Sequence, residues 1–487
     1  MMPKETDSLL SNKSSLRLQK EDTEESLETR QQSTGRKILD LAIPAGAALL
    51  IDPLMTLADT AFVGRFADSP VELAGMGSAV PILTFSFYLF NFLCTATTPL
   101  VASSRAAGQA KEAAAVGAQA LTLSLVLGAT LTITLLSLKQ TLLTVMGTDI
   151  TGEIANGYAL AFLSVRALAA PAVLCIEAST GVLRGYLDTR TPIVILIVAN
   201  LLNLALDIVL IAFAGLGPMG AAIATTTAEW VSAGLFLGVL SGTIPSASSS
   251  VDAIEIRPSL SIPTWQEVRP LIVASASVFF RAVVLQVSLS GAAAMAARSV
   301  SEEAAVAVAA HQIGIQLWIL CSFFCDSLAA ASQGLVADAL GRKDPDGVRE
   351  VSRTVFAYSL CLGLFLGLLL QVGEATGLLF EIFTDDDSIQ AALHKILPLI
   401  VIAQPLNAMV FAADGVIQGA SEFTFQAKAM ALSGLTAVST FVWLEMGNAD
   451  VATLVHVWTA LIALQSMRGL TSLWKLAQKD GTINLFG

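Results

Sequence analysis

Along most of the chain, apolar residues run for 20 or more positions before a charged or Gly/Pro-rich joint interrupts them. A helix rises 1.5 Å per residue, so about 20 apolar residues cross the ~30 Å hydrocarbon core of a bilayer. Outer-membrane β-strands need only ~10 residues, and these runs are far longer. Backbone groups in lipid must satisfy one another, so each run is expected to be a helix. Twelve spans are predicted, at 36–64, 72–103, 112–143, 152–186, 191–213, 217–242, 266–297, 304–338, 347–372, 388–418, 424–446 and 450–474. Residues 1–35 read as a disordered cytoplasmic tail and 36–242 as a first six-helix lobe. The Ser/Pro-rich stretch IPSASSSVDAIEIRPSLSIP places a cytoplasmic linker at 243–265; 266–475 form the second lobe and 476–487 a C-terminal tail. The expected fold class is an all-α polytopic membrane protein, two pseudo-symmetric six-helix lobes around a central cleft.

Composition narrows what such a chain does. Of 487 residues, 54% are hydrophobic and 14% charged, with a mean hydropathy of +0.71. A soluble domain carries about a quarter charged residues, so an ordinary cytosolic enzyme is excluded. A net charge of −12 excludes a nucleic-acid partner, which needs a basic face. Five Cys, none in CxxC spacing, make neither a disulfide framework nor a zinc site, and no metal or cofactor is expected. No Walker A motif or catalytic constellation is present, so the chain reads as no enzyme. The expected partners are the lipid bilayer and a small organic substrate, with the chain acting as a monomer.

The basic residues report topology. With both termini on one side, 21 of the 27 Lys and Arg fall on that side and 4 on the other, while Arg166 and Arg281 lie inside spans. The positive-inside rule then places both termini in the cytoplasm. The N-terminal segment has no apolar core of a signal peptide, and its seven acids argue against a transit peptide. ETDSLL at 5–10 has the spacing of an acidic-dileucine sorting signal; a chance match stands beside that reading. The expected membrane is the plasma membrane or an endomembrane such as the vacuole, ahead of the plastid envelope.

The two halves repeat at an offset of 233 to 234. VELAGMGSAVPI (71–82) lies over AAVAVAAHQIGI (304–315), AAG (106–108) over ALG (339–341), and GVLRGYLDTRTP (181–192) over GVIQGASEFTFQ (415–426). Six spans per unit is even, so both units enter the membrane in the same sense, related by an axis along its normal. That is a transporter's plan for alternating access rather than a pore's.

Ionisable side chains at bilayer depth cost roughly 2.5–3.5 kcal/mol each and need a reason. The first span holds Asp52 and Asp59, seven residues apart on one face, with Pro44 and Pro53 expected to bend it as a hinge. The fifth holds Asn200, Asn203 and Asp207 on one face; Thr225 begins a TTT run in the sixth. Together they read as a proton-binding cluster or as interhelical polar clamps. The second half is no copy: Thr436 and Thr440 stand where Asn203 and Asp207 would map. Its first span carries Arg281 instead, with Asp326, Asp414 and Glu177 as candidate partners. Arg281 reads equally as an anion-binding group or as half of a structural ion pair. His311, Gln312, Gln316 and Gln333 are candidates for the cleft, although a packing histidine is the plainer reading of His311. Cys321 and Cys325, one turn apart, read as packing residues.

At these residues the sequence resembles the multidrug and toxic compound extrusion (MATE) transporters, in particular the DinF-like branch and its plant-type members. The resemblance is carried by IPAGAALLIDPLMTLADTAFVGRFADSPVELAGMG (43–77), GVLRGYLDTRTP (181–192), AAHQIGIQLWILCSFFCDSLAAASQG (309–334) and the DGxxxG at 414–419, and it covers about 36 to 475. It implies a twelve-helix fold and antiport driven by a proton or sodium gradient. It further implies that Asp59, Asn203, Asp207 and Thr225 are the first-lobe proton-site residues. Asp52-Pro53 and Arg281 are similar to the plant-type subgroup, some of whose members export citrate or other carboxylates. Of the acidic pair used by sodium-coupled members, only Asp414 has a counterpart here. The substrate is therefore read as an organic anion such as citrate, with cationic or neutral compounds as the alternative. A lipid flippase would want a more basic cavity, and a major-facilitator carrier's charged loop signature is absent from 103–115.

Overall fold

The computed structural model describes residues 5–66, 70–146, 153–248, 255–258, 265–297, 304–447, 453–478 and 483, with side chains described from Ser33 onward. Every predicted span has a helical counterpart. In chain order these are α1 (Glu5–Phe66), α2a (Pro70–Tyr88) and α2b (Phe92–Ala106), α3 (Ala110–Val145), α4a (Glu153–Ala167) and α4b (Ala170–Gly185). They continue with α5 (Arg190–Asp207), which runs on into a π-helical turn (Ile208–Phe213), and α6 (Gly217–Leu240). The second half holds α7 (Trp265–Ala296), α8 (Ala304–Gly341), α9 (Pro345–Ala375), α10 (Asp387–Gly419), α11 (Phe423–Gly447) and α12 (Thr453–Leu476).

Among the described residues, ten helices are long and apolar enough to cross a bilayer, and the pair α4a–α4b, bent by 45°, makes an eleventh. The twelfth, α12, has the length of a span, but His456, Gln465 and Arg468 lower its hydropathy and are all buried within the protein.

One expectation about α1 is corrected. The helix starts at Glu5, where a disordered tail was expected, because residues 4–34 contain no Gly or Pro and are rich in Glu, Lys, Leu, Arg and Gln. It continues through both Pro44 and Pro53. Elsewhere local chemistry sets the boundaries. Asp344 caps α9 by accepting from the Gly347 amide at 2.9 Å, with Pro345 in the first turn. Asp386 caps α10, accepting from the amides of Ser388 and Ile389 at 2.8 and 3.4 Å. Hydrogen bonds from the Ser388 side chain and backbone hold the Asp386 carboxyl below the usual carboxylate range.

Packing repeats between the halves. α4b lies on α2b and α3 as α10 lies on α8 and α9; α5 pairs with α6 as α11 pairs with α12; α1 lies on α5 as α7 lies on α11. Contacts between the halves obey the same exchange: α1 packs on α8 and α9, and α7 on α2b and α3. The repeat reaches individual contacts. A Cβ on Gly181 would stand 2.9 Å from the Cα of Cys94; on Gly415 it would stand 2.7 Å from the Cα of Ala329. Gly185 meets Val101 as Gly419 meets Val336, and Gly128 meets Pro171 as Gly363 meets Pro405. Each pair is displaced by 234 to 235 residues. Small residues at these crossings let backbones touch, where lipid offers no hydrophobic drive to associate.

Gly415→Ala should therefore lower stability by about 1–3 kcal/mol, because its Cβ would sit 2.4 Å from the Ala329 carbonyl. Gly181→Ala, at the equivalent crossing, should cost less, since its nearest approach is 2.8 Å. Thermal unfolding in detergent of the two variants checks both the loss and its order.

Candidate functional site

In the first half, α1, α5 and α6 converge on one carboxylate. Asp59 accepts from Asn203 Nδ2 through Oδ1 at 3.1 Å and from Thr225 Oγ1 through Oδ2 at 3.1 Å. Asp207, fully buried, is close enough to Asp59 for the two carboxyl groups to interact directly. Among the described residues, no donor faces either Asp207 oxygen, and Asn203 Oδ1 is likewise unpaired. Asp207 is the last α-helical residue before the π-helical turn, a feature frequent at functional sites. The structure thus brings together Asp59, Asn203, Asp207 and Thr225, from spans up to 166 residues apart.

Other residues expected there lie elsewhere. Asn200 turns to its own helix, donating to the Leu196 carbonyl at 2.8 Å. Thr226 and Thr227 bond backbone carbonyls of Val165 and Ile223. The side chain of Asp52 lies outside the described residues. Next to the cluster stands a pair that sequence reasoning missed. Arg166, in the last turn of α4a, makes a two-armed ion pair with Glu229 of α6, one arm at 2.8 Å, and its charge reaches Asp59. Arg166 was noted as an intramembrane charge, but Glu229, 63 residues away, carried no spacing signal.

In the second half, Asp414 is the hub. Its Oδ2 takes Arg281 Nη1 at 2.9 Å and Arg468 Nη2 at 2.6 Å, while Gln426 donates to Oδ1 at 3.1 Å. Arg468 also bonds Gln465 at 2.5 Å; Gln465 donates to Asn407 at 2.6 Å, and Asn407 to Ser322 at 3.2 Å. Asp326, half-buried on α8, feels Arg184, Arg281 and Asp414. Arg281 keeps one buried nitrogen, Nε, without a partner. Arg468 is one of the three C-terminal bases in the 21 assigned to the cytoplasmic side, and that assignment is corrected: it lies inside α12, eight residues before its end, and is only 7% exposed.

Two cleft candidates take other places. His311 is sealed in the second half against the fully buried Trp458, ring centroids 5.8 Å apart, so it packs rather than faces a cleft. Gln333 is committed to the Thr95 carbonyl of the first half at 2.6 Å. Gln312 is exposed and outside the Asp414 network. Among the described residues, no group of three or more His, Cys, Asp or Glu is arranged to hold a metal ion.

An all-helical membrane body built twice over, with acids gathered in one half and guanidinium groups in the other, defines a carrier with an internal two-fold. The MatE family model matches residues 44–209 and, a second time, 272–444. The chain belongs to this family of multidrug and toxic compound extrusion transporters. Among similar proteins, "Protein DETOXIFICATION 44, chloroplastic" of Arabidopsis thaliana is 29% identical over 462 residues, covering 92% of this chain and 83% of that one. "DNA damage-inducible protein F" of Escherichia coli is 27% identical over 457 residues, covering 92% and 94%. The fold is also that of a solved MATE in the bent conformation, with a TM-score of 0.80 at 19% identity, over 91% of this chain and 94% of the other. A multidrug resistance MATE transporter in an outward-facing conformation gives 0.78 at 19% identity, over 91% and 95%.

Arg468→Ala should destabilise the protein by about 3–5 kcal/mol, because it strips a buried carboxylate of one partner. Arg281→Ala should cost less, since the Arg281 side chain is 22% exposed against 8% for Arg468. Unfolding temperatures of the two variants, compared in one detergent, check the ranking.

Proposed function

We propose that this protein is a proton-coupled antiporter that exports a small organic anion, a carboxylate of the citrate kind, from the cytosol by alternating access. The observation that carries the coupling is the meeting of Asp59 and Asp207 with no donor between them. Two anionic carboxylates side by side at bilayer depth are costly. A proton bound between them removes one charge and supplies the missing donor. Asn203 and Thr225 fix Asp59 in place. Loading from the trans side would then alter how α1, α5 and α6 meet, favouring the conformation that releases substrate. Sodium is disfavoured on this reading, because Asp414, the acid nearest to a second-half cation site, is taken by two guanidinium groups.

Arg281 supports the anion: its side chain is 22% exposed, at a hub where two guanidinium groups share one carboxylate. Its pairing with Asp414 favours a second reading, export of cationic compounds, since the carboxylate offsets its charge in part. Both termini are placed in the cytoplasm by the distribution of basic residues, in a plasma or endomembrane, and the working unit is taken as a monomer.

In proteoliposomes with an imposed pH gradient, Asp207→Asn and Asp59→Asn should each abolish gradient-driven export while leaving substrate exchange without a gradient. Retention of full coupling by Asp207→Asn would overturn the proton site. Arg281→Ala should lower citrate counterflow at least ~10-fold and spare a cationic dye, as expected for loss of a charge-assisted contact. If the variant affects only the dye, the cationic reading holds instead.

A further inference from the structure

The two halves are joined by polar contacts at the end rich in Lys and Arg. Arg105, in the last turn of α2b, donates Nη2 to Asp338 Oδ1 at 2.7 Å and Nη1 to the Tyr186 carbonyl at 3.0 Å. Asp338, in the last turn of α8, takes Arg342 on its other oxygen at 2.9 Å. One to two turns deeper, Gln333 donates to the Thr95 carbonyl. At the same end Thr34 of α1 donates to Glu350 of α9 at 2.6 Å. The backbones are as close as the side chains: a Cβ on Gly341 would stand 2.3 Å from the Ser103 carbonyl. Toward the opposite end, α2a packs on α1, α3, α4a, α4b and α6, all helices of its own half.

The ends of α2b and α8 correspond at an offset of 235: the helices stop at Ala106 and Gly341, and Gly108 and Lys343 both turn to positive φ. Ala106 and Gly341 are therefore one position of the repeat, and they touch: a Cβ on Gly341 would stand 2.8 Å from Ala106 Cβ. Equivalent positions of two units related by a two-fold can touch only at the axis. The axis runs along the membrane normal, through the middle of the cleft. The Arg105–Asp338 pair lies within a turn of that contact, at the centre of the mouth of the cleft.

We propose that Arg105 and Asp338 form the gate that closes the basic, cytoplasmic-side mouth of this transporter, and that they must part before the cleft can open there. The chemistry suits a contact made and broken in each cycle. Arg105 is 26% exposed and Asp338 11%, so water can reach the pair and hydrate both charges as they separate. Arg105 also faces the carbonyl ends of α2b and α4b, whose dipoles favour a cation there. When the pair parts, the guanidinium keeps the Tyr186 carbonyl and Asp338 keeps Arg342. Neither charge is left alone in the open state. The gate is independent of the coupling ion and of the substrate, so its failure and that of the proposed function are read separately.

The test is charge exchange. Full-length protein in lipid nanodiscs would be compared as wild type, Arg105→Asp, Asp338→Arg and the double exchange, by amide hydrogen exchange of residues 95–106 and 333–341. Each single variant sets like charges beside the axis and should raise exchange in both segments about 10-fold. The double exchange restores opposite charges across the contact and should return both segments to within about threefold of wild type. Arg105→Gln, which removes a charge without adding repulsion, should lie between them and guards against a single variant that fails to fold. Unchanged exchange in Arg105→Gln and both singles overturns the proposal. So does a rise that the double exchange does not reverse, for then the two residues act separately.

Discussion

In a bilayer a charged group that lacks a partner has no water to turn to, and this constraint fixes how the helices of this protein meet. Asp59 binds α1 to α5 and α6 through Asn203 and Thr225. Arg166 and Glu229 bind α4a to α6. Asp414, with Arg281, Gln426 and Arg468, draws α7, α10, α11 and α12 to one point. The apolar surface decides that the spans enter the membrane, but it is indifferent to which neighbours they choose. The partners of the few buried ions make that choice specific, since removing one member of such a set costs several kcal/mol.

Backbone packing is shared by the halves, whereas the chemistry is not. The glycine crossings at 181, 185 and 128 recur at 415, 419 and 363 against corresponding neighbours. Yet the first half concentrates unpaired acceptors and the second concentrates guanidinium groups. A symmetric scaffold carries an asymmetric field, with unpaired acceptors in one half and guanidinium groups in the other. Charge is unequal beside the axis as well, where Arg105 of one half meets Asp338 of the other.

Much of this was legible in the sequence. Runs of apolar residues gave the spans within a few positions, because the bilayer thickness sets their length. The spacing Asn203-x-x-x-Asp207 placed both on one helix face, and that face meets Asp59. Other roles depended on which neighbour a helix face meets. Arg468 falls inside the span expected at 450–474, but its burial against Asp414 of another helix is not written in its own segment. His311 and Gln333 share a helix with Asp326, but periodicity cannot say which face meets Trp458, which meets the Thr95 carbonyl and which meets the cleft. What carries α1 through Pro44 and Pro53 was equally out of reach. A proline's lost hydrogen bond and ring clash can be absorbed by packing from neighbouring helices, which the sequence does not display.

The glycine crossings have a mechanical side. With backbone against backbone at Gly181–Cys94 and Gly128–Pro171, and again at their counterparts, little side chain is left to compress or slide. Each half is in effect a stiff plate. A disturbance at one buried carboxyl cannot dissipate as local give; it is transmitted as rotation of the whole plate about the few hydrated contacts at its edge. The softest material in the protein lies between the halves, and that is where a small change of charge becomes a large change of shape.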